Sequence, residues 1–132
     1  MNEPVSSVMT TDLITVSPDE SLDRVKEIFN TTRIHHIPVV EGDSIIGLVT
    51  TWDMWKLNKP FEEYSSIYVK DVMTTKVATL EPKSKIGTAA EVFLENLFHA
   101  LPIVDSGKLV GIITTFDVLQ YQFLKEYPNH VY

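Results

Sequence analysis

Cysteine is absent from this 132-residue sequence, which excludes disulfide bonds, thiolate nucleophiles and thiolate metal sites. Glycine is also scarce, with five residues in the chain. Gly42 and Gly107 lie in predicted turns, and Gly47 and Gly111 lie in predicted strands. Little glycine is left for a phosphate-binding loop, and the P-loop, Gly-x-Gly-x-x-Gly and Gly-x-Ser-x-Gly patterns do not occur. We therefore expect no enzymatic activity.

Basic residues are outnumbered, with 11 Lys and Arg against 18 Asp and Glu and a formal net charge of -7. This charge repels a phosphate backbone and an anionic membrane, and no dense cluster of Lys or Arg offsets it. We expect neither nucleic acid nor a membrane as a partner. The sequence has no apolar run near the roughly 18 residues that span a bilayer and no signal-peptide pattern at its start. We expect a cytoplasmic protein.

An internal repeat organises the sequence. Residues 8–55 align without a gap with residues 72–119, an offset of 64 positions that places residue 8 on residue 72. Val8-Met9-Thr10-Thr11 recurs as Val72-Met73-Thr74-Thr75, and Gly47, Thr50, Thr51 and Asp53 recur as Gly111, Thr114, Thr115 and Asp117. The two copies are therefore predicted to form the same structure.

Each copy predicts the order strand, helix, β-hairpin, helix. A β-rich run ends at Ser17-Pro18, apolar residues come next at helical spacing, and two short apolar runs then flank a turn. In the first copy these elements are 13–16, 21–31, 37–40 with 45–49, and a helix from Thr51; in the second they are 77–80, 85–96, 101–104 with 109–113, and a final helix. We predict an α+β fold built from two β-α-β-β-α motifs.

A motif of about fifty residues is too small to bury its apolar faces alone. We therefore expect the two copies to pack on each other about an approximate twofold axis. The predicted organisation is one module over 1–132, with a first motif at 5–58, a linker at 59–68, a second motif at 69–125 and a tail at 126–132.

Four segments of each copy resemble a cystathionine β-synthase (CBS) motif. In the first copy they are Val8-Met9-Thr10, Thr15-Val16-Ser17-Pro18, His35-His36-Ile37-Pro38-Val39-Val40 and Gly47-Leu48-Val49-Thr50-Thr51-Trp52-Asp53, and the second copy repeats them in the same order. Two motifs in tandem resemble a CBS pair, or Bateman module, over nearly the whole chain. The resemblance implies a sensor that binds AMP, ADP, ATP or a related adenosyl compound between its motifs. It also implies a homodimer that regulates a partner protein, and no cofactor.

The resemblance further implies two clefts. One combines Thr50 and Asp53 with Val77, Ala78, Phe98, His99 and Ala100; the other combines Thr114 and Asp117 with Leu13, Ile14, His35, His36 and Ile37. An ionised carboxylate can accept hydrogen bonds from both ribose hydroxyls, and short apolar strands can sandwich an adenine. A histidine can donate to phosphate.

Each of these features has a plainer interpretation. Thr-x-x-Asp at a strand-to-helix junction is also a helix N-terminal cap. Histidine can also be a buried or hydrogen-bonded structural residue, which is the favoured interpretation of His99. Neighbouring strand residues such as His35 and His36 point to opposite faces, and the sequence has no cysteine and no nearby pair of carboxylates to complete a coordination shell, so no metal site is expected. Aromatic residues at helical spacing predict packing at the pair or dimer interface; they are Trp52, Trp55, Phe116 and Phe123.

The two clefts are predicted to differ. His36 aligns with Ala100, and Asp12 aligns with Lys76, so the cationic groups that meet a phosphate are distributed unequally. The histidine favours the Asp117 cleft as the better site, while the negative charge of Asp12 opposes phosphate there. A dimerisation or scaffold module with empty clefts is the alternative function.

Overall fold

A computed structural model describes residues 1–130. The chain forms two compact units, which we call the first unit, Ile14–Val77, and the second unit, Met1–Leu13 together with the chain from Ala78 onward. The units do not follow the motif boundaries of the sequence repeat. Residues 5–13 belong to the second unit, and the linker belongs to the first. Each unit therefore takes in the first residues of the motif that the sequence assigns to the other, and we call residues 1–13 and 59–77 the exchanged segments.

The first unit is built on a β-hairpin, three α-helices and a 3-10 helix. Its elements are α1 (Leu22–Thr31), β1 (His36–Glu41), β2 (Ser44–Thr50), α2 (Thr51–Leu57), a 3-10 helix (Phe61–Ser66) and α3 (Val69–Val72). The antiparallel register runs from His36 opposite Thr50 to Glu41 opposite Ser44, with an irregularity between Val39 and Val40. Gly42 forms the turn at φ +61°, a left-handed conformation that favours glycine.

The second unit repeats this plan. Its elements are a 3-10 helix (Val5–Ser7), α4 (Ile86–Asn96), β3 (Ala100–Asp105), β4 (Lys108–Thr114) and α5 (Thr115–Glu126). The hairpin register runs from Ala100 opposite Thr114 to Asp105 opposite Lys108. The helices and hairpins predicted from the sequence are confirmed in both copies, with ends that shift by one or two residues.

The predicted first strands, 13–16 and 77–80, are wrong as continuous strands. Each is reduced to one parallel bridge, between Val16 and Val39 and between Leu80 and Ile103. Val16 donates to the Pro38 carbonyl and accepts from Val40. The next bonds of a parallel ladder would require N–H groups at Pro38 and Pro18, which proline lacks.

The same restriction acts in the second copy. Leu80 donates to the Pro102 carbonyl at 3.1 Å and accepts from Val104 at 2.8 Å. Continuing the ladder would require an N–H at Pro102 on one side and at Pro82 on the other. The prolines that mark the motif in the sequence therefore limit the strand that the motif predicts.

Each unit has its own hydrophobic core. In the first unit the buried core residues are Val16, Leu22, Val25, Ile28, Ile37, Val39, Val49, Tyr64 and Val69. In the second they are Val5, Ile86, Ala89, Phe93, Leu101, Ile103 and Ile113. Tyr64 lies in the predicted linker, where we expected only a connecting segment. The linker instead supplies part of the first core, and the Nζ of Lys26 lies over the rings of Phe61 and Tyr64.

The exchanged segments complete the hairpins through backbone hydrogen bonds. In the first unit Thr74 and Leu48 exchange two bonds of 2.8 and 2.9 Å. In the second unit Thr10 and Ile112 exchange two bonds of 2.9 and 3.0 Å. The repeated Val-Met-Thr segment is therefore an edge partner of each hairpin.

The exchanged segments also accept hydrogen bonds from the first amides of α1 and α4. The Leu22 amide donates to the Ile67 carbonyl, and the Ile86 amide donates to the Glu3 carbonyl, both at 2.9 Å. Neither helix has a side-chain cap, so these carbonyls replace one. Across residues 1–130 no helix is both long and apolar enough to cross a membrane.

Candidate functional site

A Thr–Asp pair starts the helix that comes after each hairpin. In the first unit the Thr50 hydroxyl accepts from the Asp53 amide at 3.1 Å, and the Asp53 carboxylate accepts from the Thr50 amide at 2.9 Å. In the second unit the corresponding bonds between Thr114 and Asp117 are 3.2 and 2.8 Å. The predicted capping role is confirmed at both junctions, because each pair forms a reciprocal capping box.

The two carboxylates lie in different surroundings. Asp53 is 4% exposed, and its Oδ1 lies 3.5 Å from the Nζ of Lys56. Asp117 is partly exposed, and Gln120 occupies the position that aligns with Lys56. Burial raises the pKa of the Asp117 carboxyl above its ordinary value, and the hydrogen bonds from Thr114 oppose that rise.

The histidines before the hairpin prolines hold the helix starts through their backbone. The His35 carbonyl accepts from the Thr51 amide, and the His99 carbonyl accepts from the Thr115 amide, both at 3.1 Å. His36 lies opposite Thr50 in the hairpin register. Both His35 and His99 are exposed, so His99 is not the buried residue that one form of the structural interpretation expected, although its carbonyl is hydrogen-bonded. His99 comes after a left-handed residue, Leu97, in the irregular stretch that ends α4.

The predicted cleft residues are divided between the units. Ile14, His35, His36, Ile37, Thr50, Asp53 and Val77 belong to the first unit, and Leu13, Ala78, Phe98, His99, Ala100, Thr114 and Asp117 belong to the second. Within each unit the structure brings the Thr–Asp pair next to the pre-proline residues of the same hairpin. Each predicted cleft draws on both units, and its full residue set stays a prediction.

Sequence reasoning missed two features beside the aspartates. Lys56 is one turn of helix from Asp53, a spacing at which opposite charges meet, and comparison with Gln120 would have found it. The second is a groove of about 390 Å³ in the second unit that has Asp117 on its wall. The other residues that line it are Ser7, Val8, Gln120, Tyr121, Leu124 and Lys125.

Three exposed aromatic side chains belong to the helices that start at the Thr–Asp pairs. Trp52 and Trp55 of α2 stack on each other with ring centroids 4.8 Å apart, and they are 60% and 72% exposed. Phe116 of α5 is likewise exposed. These side chains are therefore absent from the cores of their own units. Over residues 1–130, no group of three or more His, Asp or Glu side chains could hold a metal ion.

Comparisons with known proteins agree on one family. The model of the CBS domain matches residues 5–54 and 69–123. The chain is 33% identical over 113 residues to inosine-5'-monophosphate dehydrogenase from Korarchaeum cryptofilum, covering 85% of this chain and 23% of that protein. It is 28% identical over 122 residues to the CBS domain-containing protein YhcV of Bacillus subtilis, covering 92% of this chain and 87% of that protein.

Solved structures are similar over most of their length. The CBS-pair protein CBSX2 from Arabidopsis thaliana is 28% identical with a TM-score of 0.83, covering 98% of this chain and 100% of that one. A crystal structure of CBSX2 in complex with AMP is 27% identical with a TM-score of 0.82, covering 94% and 98%. The chain thus spans whole CBS-pair proteins but under a quarter of the dehydrogenase.

Proposed function

The chain belongs to the CBS domain family, and on that premise we propose that it is a regulatory module that binds an adenosine-type nucleotide. The ligand class is AMP, ADP, ATP or a related adenosyl compound, and binding is signalled to a partner protein. The observation that carries the proposal is the Thr–Asp pair at each strand-to-helix junction. The complex of CBSX2 with AMP supports this ligand class.

The carboxylate of Asp117 is the principal ligand group in this proposal. Its Oδ2 accepts from the Thr114 amide, which fixes the carboxylate in place. Residues 1–130 provide no hydrogen bond or ion pair to its Oδ1, so this oxygen can accept from ribose hydroxyls. Asp53 and Thr50 have the same role in the other site. The adenine and phosphate contacts are proposed for the remaining predicted residues: Leu13, Ile14, His35, His36, Ile37, Val77, Ala78, Phe98, His99 and Ala100.

A thermal-unfolding and calorimetric titration tests the proposal. AMP, ADP, ATP, NAD and S-adenosylmethionine are added in turn to the native chain, to Asp117→Asn and to Asp43→Asn. Asp43 lies in an exposed turn and is the matched control. We expect at least one nucleotide to raise the Tm of the native chain. Asp117→Asn loses a charge-assisted bond worth about 1.5 to 3 kcal/mol, so its affinity falls about tenfold to a hundredfold.

The control decides how a loss of binding is interpreted. Asp43→Asn is expected to bind as the native chain does, because its carboxylate lies in a hairpin turn. If no nucleotide changes the Tm of the native chain at millimolar concentration, the sensor proposal is wrong. The alternative, a dimerisation or scaffold module without ligand, then replaces it.

We propose that the module acts as a homodimer, whether or not it binds a ligand. Two stacked and exposed tryptophans on one short helix leave a large apolar surface in water, which is typical of an interface. Phe116 and Leu119 of α5 are also more than half exposed. Sedimentation of the native chain and of Trp55→Glu tests this assignment. We expect a dimer for the native chain and a monomer for the variant, and a native monomer at about 100 μM would refute it.

A further inference from the structure

The two aspartates that the repeat aligns differ in the residue one turn further along the helix. Lys56 lies three residues after Asp53, and Gln120 lies three residues after Asp117. The ammonium of Lys56 lies 3.5 Å from Asp53 Oδ1. Gln120 has no charge, so this position of the second unit cannot form the equivalent ion pair. The two copies therefore differ in charge at the position one helical turn after each aspartate.

The lysine occupies the oxygen that the capping box leaves open. Asp53 Oδ2 accepts from the Thr50 amide at 2.9 Å, and Lys56 lies beside Oδ1. Asp117 Oδ2 accepts from the Thr114 amide in the same way, while its Oδ1 meets no donor from residues 1–130. A ribose hydroxyl that approaches Asp53 must compete with an ammonium group. One that approaches Asp117 need not.

The burial of Asp53 strengthens its ion pair with Lys56. The side chain of Asp53 is 3% exposed and that of Lys56 is 55% exposed, so the carboxylate lies under protein atoms with the cation at its solvent side. A charge pair at such a position is stronger than one between two exposed groups, because one partner is shielded from water. Removing the cation should therefore change the affinity of this carboxylate for a donor measurably.

We propose that Lys56 and Gln120 set the order in which two nucleotide sites fill. Asp117 is available and binds first, whereas Asp53 is occupied by Lys56 and binds at higher nucleotide concentration. This inference rests on the proposed function, since it assigns unequal affinities to the two sites of the same ligand class. The chain would then respond to nucleotide over a wider concentration range than two equal sites allow.

The chain carries a natural reporter for the Asp53 site. Its two tryptophans, Trp52 and Trp55, lie on α2 on either side of Asp53, and α5 has none. Tryptophan emission therefore reports on the first unit, whereas calorimetry reports on both sites. With AMP as the probe, we expect the emission midpoint of the native chain to lie at a higher concentration than the first calorimetric phase.

A reciprocal exchange tests the assignment. Lys56→Gln gives the first unit the residue of the second, and its emission midpoint is expected to fall about threefold to fivefold. Gln120→Lys does the reverse: it weakens the first calorimetric phase by a similar factor and leaves the emission midpoint unchanged. Lys56→Met, which keeps an unbranched side chain without its charge, should match Lys56→Gln. Both effects should shrink at about 0.5 M salt, where charge pairs are screened.

Adenosine separates this role from a direct contact with phosphate. A lysine that competes for the carboxylate affects adenosine and AMP alike, because both carry the ribose. If Lys56→Gln instead weakens AMP and leaves adenosine unchanged, Lys56 is a phosphate contact and the inference is overturned. If the native chain binds AMP and neither Lys56→Gln nor Gln120→Lys alters that binding, the inference is also overturned, while the proposed function stands. Absence of any nucleotide binding by the native chain defeats both.

Discussion

Replacing Gly47 with alanine should lower the Tm of the chain, because Gly47 lies in close contact with the segment that pairs with the first hairpin. A Cβ at this position would lie 2.9 Å from the Thr74 carbonyl oxygen and 2.9 Å from the Met73 sulfur. The methionine can rotate away, but the carbonyl accepts from the Leu48 amide at 2.9 Å and cannot move without breaking that bond. Overpacking of this kind costs about 1 to 3 kcal/mol, which for a domain of this size lowers the Tm by about 4 to 12 °C.

The same substitution elsewhere in the chain supplies the control. Gly87 is the second residue of α4, where a Cβ would meet the Met1 carbonyl oxygen at 3.3 Å, a looser contact than the 2.9 Å at Gly47. Gly87→Ala is expected to raise the Tm by less than about 4 °C, because alanine favours a helix interior over glycine by about 1 kcal/mol and the first turn gains only part of that preference. Gly111→Ala should fall between them, since its backbone contact with Thr10 is 3.1 Å and the closer atom is the Met9 sulfur. Scanning calorimetry of all three variants ranks them. An unchanged Tm for Gly47→Ala would refute the close approach of the Val-Met-Thr segment.

Further predictions concern the aspartate, the linker and the exchanged segments. Burial raises the pKa of the Asp117 carboxyl in the folded chain, so the folded chain binds a proton at this carboxyl more tightly than the unfolded chain does. The contribution of Asp117 to the free energy of unfolding therefore falls as the pH rises from about 4 through the raised pKa. Asp117→Asn keeps an oxygen for the Thr114 amide but does not titrate, so the Tm of the variant relative to that of the native chain should rise over this pH range. Equal pH profiles of Tm for the two proteins would contradict the raised pKa of Asp117. Tyr64→Ala should cost about 3 kcal/mol in chemical denaturation, whereas a neutral effect would show that the linker is only a connection. By circular dichroism and proton NMR, a fragment of residues 14–77 should fold cooperatively and one of residues 5–58 should not, because the second lacks Tyr64, Val69 and Thr74.

The repeat and its periodicity predicted the helices and hairpins because these elements depend on local patterns. Apolar residues at helical spacing, such as Leu22 and Val25, are buried where the pattern places them. The first strands were overestimated because their pairing depends on prolines in another strand. Pro38 is far from Val16 in the sequence, and its missing N–H affects the strand only once the two segments lie side by side.

The candidate site was predicted as a set of residue types, but not as a set of interactions. The aspartates were predicted from the resemblance to the CBS motif, and their capping bonds agree with the Thr-x-x-Asp spacing. The ion pair between Lys56 and Asp53 was missed because the aligned repeat ends at residue 55, one position before Lys56. The exchange of segments between units could not be found at all, since a repeat reveals equivalent residues without showing which copy each one contacts.

The exchange of segments has a consequence for inheritance. The hairpin encoded in one copy is completed by the Val-Met-Thr segment encoded at the start of the other, through the bonds of Leu48 with Thr74 and of Ile112 with Thr10. A gene that lost one copy would still encode one hairpin and one Val-Met-Thr segment. Two such shortened chains would have to exchange these segments to restore the pairing that the two copies form within one chain.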